Sequence, residues 1–124
     1  MNNGFFSICL QCVQIKNPGK DRLSENKKMI YKVRNVKGSG DSQAPSGYSS
    51  WLDYWEKKTG RKARYCHRES CIKTATDGAH VQLVDGGNEW YIVPLCHDCN
   101  ISPDEILNVA GPLVPVNPFY PIKW

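Results

Sequence analysis

Four cysteines in two closely spaced pairs carry the clearest chemistry in this sequence. Cys66 and Cys71 are separated by four residues, and Cys96 and Cys99 by two. Each pair can place two thiolates on one tight turn, and the segment between the pairs is long enough to fold back on itself. Four sulfur ligands at the corners of a tetrahedron are typical of structural zinc, with Zn–S bonds of roughly 2.3 Å. We therefore predict a zinc site here; the alternative is a pair of disulfides, which a reducing cytosol disfavours.

A further CxxC pair, Cys9 and Cys12, lies in an apolar run near the N-terminus. Three interpretations are open: half of a second metal site completed by His67 or His97, a redox pair, or buried thiols that pack as small hydrophobic side chains. The apolar surroundings favour burial. We expect His67 and His97 to be spacers within the two cysteine loops, because four cysteines already complete a tetrahedron.

The segment between the two cysteine pairs predicts a β-hairpin. Residues 78–84 and 89–93 are rich in β-branched and aromatic side chains, and the residues between them, Asp-Gly-Gly-Asn, are a turn signal. This hairpin brings the two cysteine pairs to the same end of the module and places His80 on its first strand.

Capping signals predict two helices. The first begins after Ser50 and ends at Gly60, and we expect its tryptophans to be in the core. The second runs from about residue 103 to residue 109, because Ser102 is followed by a proline and a capping-box glutamate.

The remaining segments flank this module, and the whole chain is predicted to be a small α+β protein. Residues 1–50 form a basic, β-rich arm with strands over residues 4–15 and 28–36, residues 51–110 form the helix and zinc module, and residues 111–124 form a proline-rich tail. A proline at every third residue of the tail suits polyproline II. The tail is either a ligand for an aromatic groove of a partner protein or a segment that lies across its own domain, which we favour because it is so apolar.

The charge is distributed unevenly along the 124 residues. Residues 1–64 contain 13 Lys/Arg and 5 Asp/Glu, whereas residues 65–124 contain 3 and 7, which gives the net charge of +4. A basic run before the first cysteine pair is the best candidate for contact with nucleic-acid phosphates, with DNA favoured; it comprises Lys57, Lys58, Arg61, Lys62 and Arg64. No segment approaches the roughly 18 apolar residues of a membrane span, and the first residues do not form a basic secretory leader. We expect a cytoplasmic protein with no membrane partner.

The motif AHV, followed by GG and then YIVPLCHDCN, resembles the HNH (His-Me finger) nuclease family, and the order of loop, hairpin, loop and helix resembles a treble-clef zinc module. The resemblance covers residues 66 to about 110. It implies that His80 is a general base that activates water against a phosphodiester. It also implies that Asn100 helps to hold a catalytic divalent ion such as Mg²⁺, and that the four cysteines hold structural zinc.

Two positions depart from the family pattern. Ala79 stands where many members have a metal-binding aspartate, and Tyr91 stands where the family has its middle asparagine. We slightly favour a metal-dependent DNA endonuclease as the function. Two alternatives stay open: a nucleic-acid-binding zinc module without catalysis, and a zinc-stabilised scaffold for protein interaction.

Overall fold

The structure is a computed structural model, and it describes residues 29–36, 43–102 and 105–124. The strand predicted over residues 4–15, with Cys9 and Cys12, lies outside these ranges. The described residues form a small mixed α+β fold with one sheet of five strands. No helix within them is long and apolar enough to cross a membrane.

Five antiparallel strands form the sheet in the order β4-β1-β2-β3-β5. The elements in chain order are β1 (Ile30–Asn35), α1 (Trp51–Thr59), β2 (Asp77–Leu83), β3 (Tyr91–Leu95), α2 (His97–Asn100), β4 (Ile106–Ala110) and β5 (Val114–Pro115). β1 lies between β4 and β2, so residues of the predicted arm and of the predicted zinc module share one sheet.

The two faces of the sheet bury different partners. One face packs against the cysteine loops, and its buried residues include Val81, Val93 and Leu107. The other face packs against α1, where Trp55 and Ile92 are buried together. Because successive residues of a strand point to opposite faces, β3 contributes to both clusters. This explains why the apolar run of β3 is buried along its whole length.

Helix α1 has the bounds that its capping residues predict. The Ser50 hydroxyl accepts a hydrogen bond from the Asp53 amide at 3.0 Å. Gly60 ends the helix with φ of 72°, a left-handed conformation that glycine adopts without a Cβ penalty. The helix lies so close to β2 that a Cβ on Gly78 would be 2.5 Å from the Leu52 backbone nitrogen. A residue without a side chain is therefore what allows α1 to approach the sheet at this point.

The predicted hairpin is confirmed, with β2 paired to β3 from Asp77–Leu95 to Val81–Tyr91. The helix predicted over residues 103–109 is wrong, because β4 occupies residues 106–110 and pairs with β1 through five residue pairs. Burial alternates along β4, with Leu107 and Val109 fully buried. Pairing with β1 and burial of one apolar face stabilise the strand more than the local capping signal stabilises a helix. The helix next to the second cysteine pair is instead the single turn α2.

The first half of the proline-rich tail lies across its own domain. Leu113 and Val114 are buried, and β5 pairs with β3. Two aromatic side chains of α1 hold this segment, since the Trp55 indole donates a hydrogen bond to the Pro112 carbonyl at 2.9 Å and the Tyr54 hydroxyl donates to the Pro115 carbonyl at 2.8 Å. The first half of the tail thus adds an edge strand next to β3 and is hydrogen-bonded to α1.

Candidate functional site

The four cysteines predicted as metal ligands converge on one point. Their sulfur atoms all lie within 4.8 Å of one another, and the Cys71 sulfur is 3.9 Å from that of Cys96 and 4.0 Å from that of Cys99. A tetrahedron of Zn–S bonds of about 2.3 Å has S···S edges of about 3.8 Å. All four are free thiols, so the disulfide alternative does not apply to them. The group could hold a metal ion.

Backbone amides point at the sulfurs of the first pair. The Cys66 sulfur accepts hydrogen bonds from the amides of Arg68 and Cys96, and the Cys71 sulfur accepts one from the amide of Lys73. The sulfur of each first-loop cysteine therefore accepts a hydrogen bond from the amide two residues later. Such donors stabilise negative charge on sulfur, which is what a metal-bound thiolate carries.

The pKa values of the thiols show that burial in the two cysteine loops disfavours thiolates unless a cation is bound. Burial raises the pKa of Cys66 to about 12 and also raises the pKa of Cys99, whereas the Lys73 amide lowers the pKa of Cys71. Four thiolates together in this buried position would repel one another, and a divalent cation reverses that balance. The donor set, its spacing and its amide hydrogen bonds all fit a thiophilic metal ion.

Two side chains that the sequence did not single out brace the cysteine loops. The Asn35 amide nitrogen donates to the carbonyls of Cys99 and Ser102, each at 3.1 Å, and so ties the end of β1 to the second loop. The Arg68 guanidinium is 3.8 Å from the Cys99 sulfur and 2.9 Å from the Glu105 carboxylate. The position of Arg68 between the cysteines of the first pair was the only sequence signal for this role, and Asn35 had none.

The two histidines in the cysteine loops do not join the sulfur group. A His67 ring nitrogen is 2.9 Å from the Ala110 carbonyl oxygen, and the ring packs edge-on to Trp55. His97 lies on the exposed side of α2, where its ring is 3.1 Å from the Asp77 carboxylate. Among the described residues, the donors that converge are the four cysteines alone.

His80, the predicted general base, lies on the β2 face that packs against α1. Its ring is 4.8 Å from that of Trp51 and 5.7 Å from that of Trp90, with both rings edge-on, and the residue is 6% exposed. Burial lowers the pKa of His80, so the ring is neutral at pH 7. Within the described part of the chain, no carboxylate lies within ion-pair distance of this ring.

Asn100, the predicted ligand of a catalytic ion, lies at the end of α2. Its amide donates to the Asp77 carboxylate at 2.9 Å. Partial burial raises the pKa of Asp77, but hydrogen bonds from Asn100 and His97 outweigh it, so the pKa lies below its ordinary value. Asp77 has the parity of Ala79 and Val81, which face the cysteines. The sheet therefore separates Asn100 from His80.

The predicted basic run divides into two groups. Lys57 is paired with Asp53 at 3.1 Å, Lys58 lies over the Tyr54 ring, and Arg61 lies over the Trp124 ring. Lys62 and Arg64 instead reach the first cysteine loop, and no carboxylate of the described residues lies within ion-pair distance of either one.

A groove of about 860 Å³ lies beside the first cysteine loop. Its charged lining residues are Lys62, Arg64, Arg68 and Glu69, and its apolar lining includes Ile30, Tyr65 and Ile72. The groove thus combines cations with exposed apolar surface next to the candidate metal centre.

No family model, no curated protein and no solved structure matches this chain.

Proposed function

We propose that this protein is a zinc-stabilised nucleic-acid-binding module. The observation that carries the proposal is the position of Lys62 and Arg64, which form no ion pair with any described residue and line a groove beside four converging cysteines. The metal provides a rigid scaffold, and the cations bind the phosphate backbone.

Zinc is the metal that best suits the sulfur group. Four thiolates at tetrahedral spacing are a closed ligand set that leaves no open position for water or substrate, which is typical of a structural rather than a catalytic site. Among the first-row metals, thiolate ligands select zinc, copper(I) and iron–sulfur clusters, and a single tetrahedral ion suits the S···S distances of 3.9 and 4.0 Å. We also propose that the loop, hairpin, loop and α2 are a variant of the treble clef in which β4 follows the helical turn.

The cations that reach the groove are well placed to bind phosphate groups. Lys62 and Arg64 are exposed, and ion pairing in the described residues does not neutralise them. Arg68 adds a third cation, although it is shared with Glu105. Release of counterions from a phosphate backbone by such side chains supplies most of the affinity of non-specific binding.

Two features support binding without cleavage. A general base must lie within hydrogen-bond reach of its water, but His80 is packed between Trp51 and Trp90 on the α1 side of the sheet. Asn100 and Asp77 are on the other side, where they bond to each other. The groups that HNH-like hydrolysis would need are therefore separated.

The binding experiment measures the affinity for a labelled DNA over a series of salt concentrations. Replacing Lys62 and Arg64 by glutamine together should lower the slope of log K against log salt by about 2, since each phosphate contact contributes roughly 0.9 on a duplex. The matched control replaces Lys32 and Lys73, which are hydrogen-bonded to Asn108 and Asp98. An equal slope for the parent protein and the Lys62/Arg64 variant would contradict the proposal.

A plasmid gel with Mg²⁺ or Mn²⁺ tests the nuclease hypothesis on the same samples. We expect binding and no cleavage. Cleavage that is present in the parent protein and absent in His80→Phe, with the zinc content unchanged, would instead establish His80 as the base and the protein as a nuclease.

A further inference from the structure

Tyr65 is the most accessible aromatic side chain of the groove. It is 64% exposed and stands between the cation Arg64 and the buried ligand Cys66. No other aromatic ring of the described residues stacks against it. Its backbone forms an isolated antiparallel bridge with Thr74, and its side chain lines the groove beside the candidate metal centre.

The groove around Tyr65 provides apolar surface as well as charge. Ile72 is 87% exposed and Ile30 is also exposed, and both line the groove together with Tyr65. Its volume of about 860 Å³ lies within the range of roughly 300–1,000 Å³ found for ligand sites. The groove therefore has room and surface for a flat heterocycle, whereas phosphate contact alone would need neither.

We infer that the groove binds single-stranded nucleic acid, with one base stacked on Tyr65 and the adjacent phosphates bound by Lys62 and Arg64. This inference rests on the proposed function and names its ligand class. A nucleotide chain alternates flat bases with charged phosphates, and the groove places a flat ring directly beside cations. Base–aromatic stacking tolerates any sequence, because every base has a π face.

A double strand fits this surface less well. The bases of a duplex are stacked on one another, so Tyr65 can stack only if a base is first taken out of the helix, which costs free energy. Exposed Ile72 and Ile30 would then face charged phosphates rather than sugar and base. A single strand exposes its bases and avoids that cost.

The experiment compares a labelled 12-residue oligothymidylate with a duplex of the same length in a fluorescence anisotropy titration. Tyr65→Ser should weaken binding of the single strand by about tenfold, which is the size of one stacking contact, and should change duplex binding much less. Tyr65→Phe should keep the parent affinity because it keeps the ring. Tyr120→Ser is the matched control, since Tyr120 is also exposed but does not line the groove.

The outcomes separate this inference from the proposed function. Equal affinity for single strand and duplex, unchanged in Tyr65→Ser, overturns the inference and leaves nucleic-acid binding intact. No binding of either nucleic acid at low salt overturns both. Competition by polyglutamate as strong as that by unlabelled oligothymidylate assigns the groove to acidic peptides and also overturns the inference. Equal zinc content and thermal midpoint in Tyr65→Ser and the parent show that the change is confined to the surface.

Discussion

Asp77 and His80 belong to the same strand, but they have opposite environments because they are an odd number of residues apart. Asp77 is hydrogen-bonded to Asn100 on the cysteine side, and His80 is buried between two tryptophans on the α1 side. The sequence motif that contains His80 thus resembles a catalytic motif, whereas the packing around its ring is that of a core residue.

The buried ring of His80 predicts a pH dependence of stability. Its pKa is lowered in the folded state, so the unfolded chain binds a proton first as the pH falls through the ordinary value of 6.5. The stability that the neutral, buried ring of His80 contributes is complete above about pH 6.5 and is lost progressively as the pH falls below it. We expect the free energy of unfolding to fall by up to about 1.4 kcal/mol more in the parent than in His80→Phe between pH 7.5 and 5.5.

Urea unfolding of both proteins at the two pH values measures this difference, with the zinc content determined in each sample. Because the cysteines are the same in both proteins, their protonation cancels in the comparison. The same pH dependence in parent and variant would show that the ring is not held neutral by burial.

The elements of the fold divide into those specified by local signals and those specified by pairing. Caps at Ser50 and Gly60 define α1, and a Gly-rich turn defines the β2–β3 hairpin. β4 contradicts its local helix signal because pairing with β1 buries Leu107 and Val109. The close contact between α1 and the sheet depends on Gly78 of β2.

Gly78→Ala tests this contact. The added Cβ would lie 2.5 Å from backbone atoms of Trp51 and Leu52, which cannot move without shifting α1. We expect a loss of about 1–3 kcal/mol in the free energy of unfolding, which is typical of overpacking. Gly87→Ala is the matched control, because its nearest contact is the flexible end of the Glu89 side chain. Its effect should be within about 0.5 kcal/mol, as measured by urea unfolding. Equal effects of the two substitutions would mean that α1 does not press on β2.

At the scale of the whole molecule, the cysteine group links distant parts of the chain. It joins the loop that follows α1 to the end of the β2–β3 hairpin, and Asn35 of β1 bonds to the second loop. In a chain whose hydrophobic content is 40%, this link supplements a small core.

If the four cysteines hold zinc as proposed, removal of the metal should weaken the whole fold. A strong chelator should lower the thermal midpoint by at least about 10 °C, because the free energy of metal binding contributes directly to folding. Four additional thiols should then react with a thiol reagent, and added zinc should restore both the midpoint and the protection. An unchanged midpoint after complete loss of the metal would show that the sheet and α1 are stable on their own.

The sequence by itself determined the four cysteines as one group, the hairpin between them and the caps of α1. These features depend on residues a few positions apart, so spacing and turn chemistry specify them. Only the tertiary structure decided that β1 lies between β4 and β2, that the ring of His80 faces α1, and that Arg68 joins Lys62 and Arg64 at one groove. Strand pairing and burial depend on residues far apart in the chain, and local signals do not specify which of them meet.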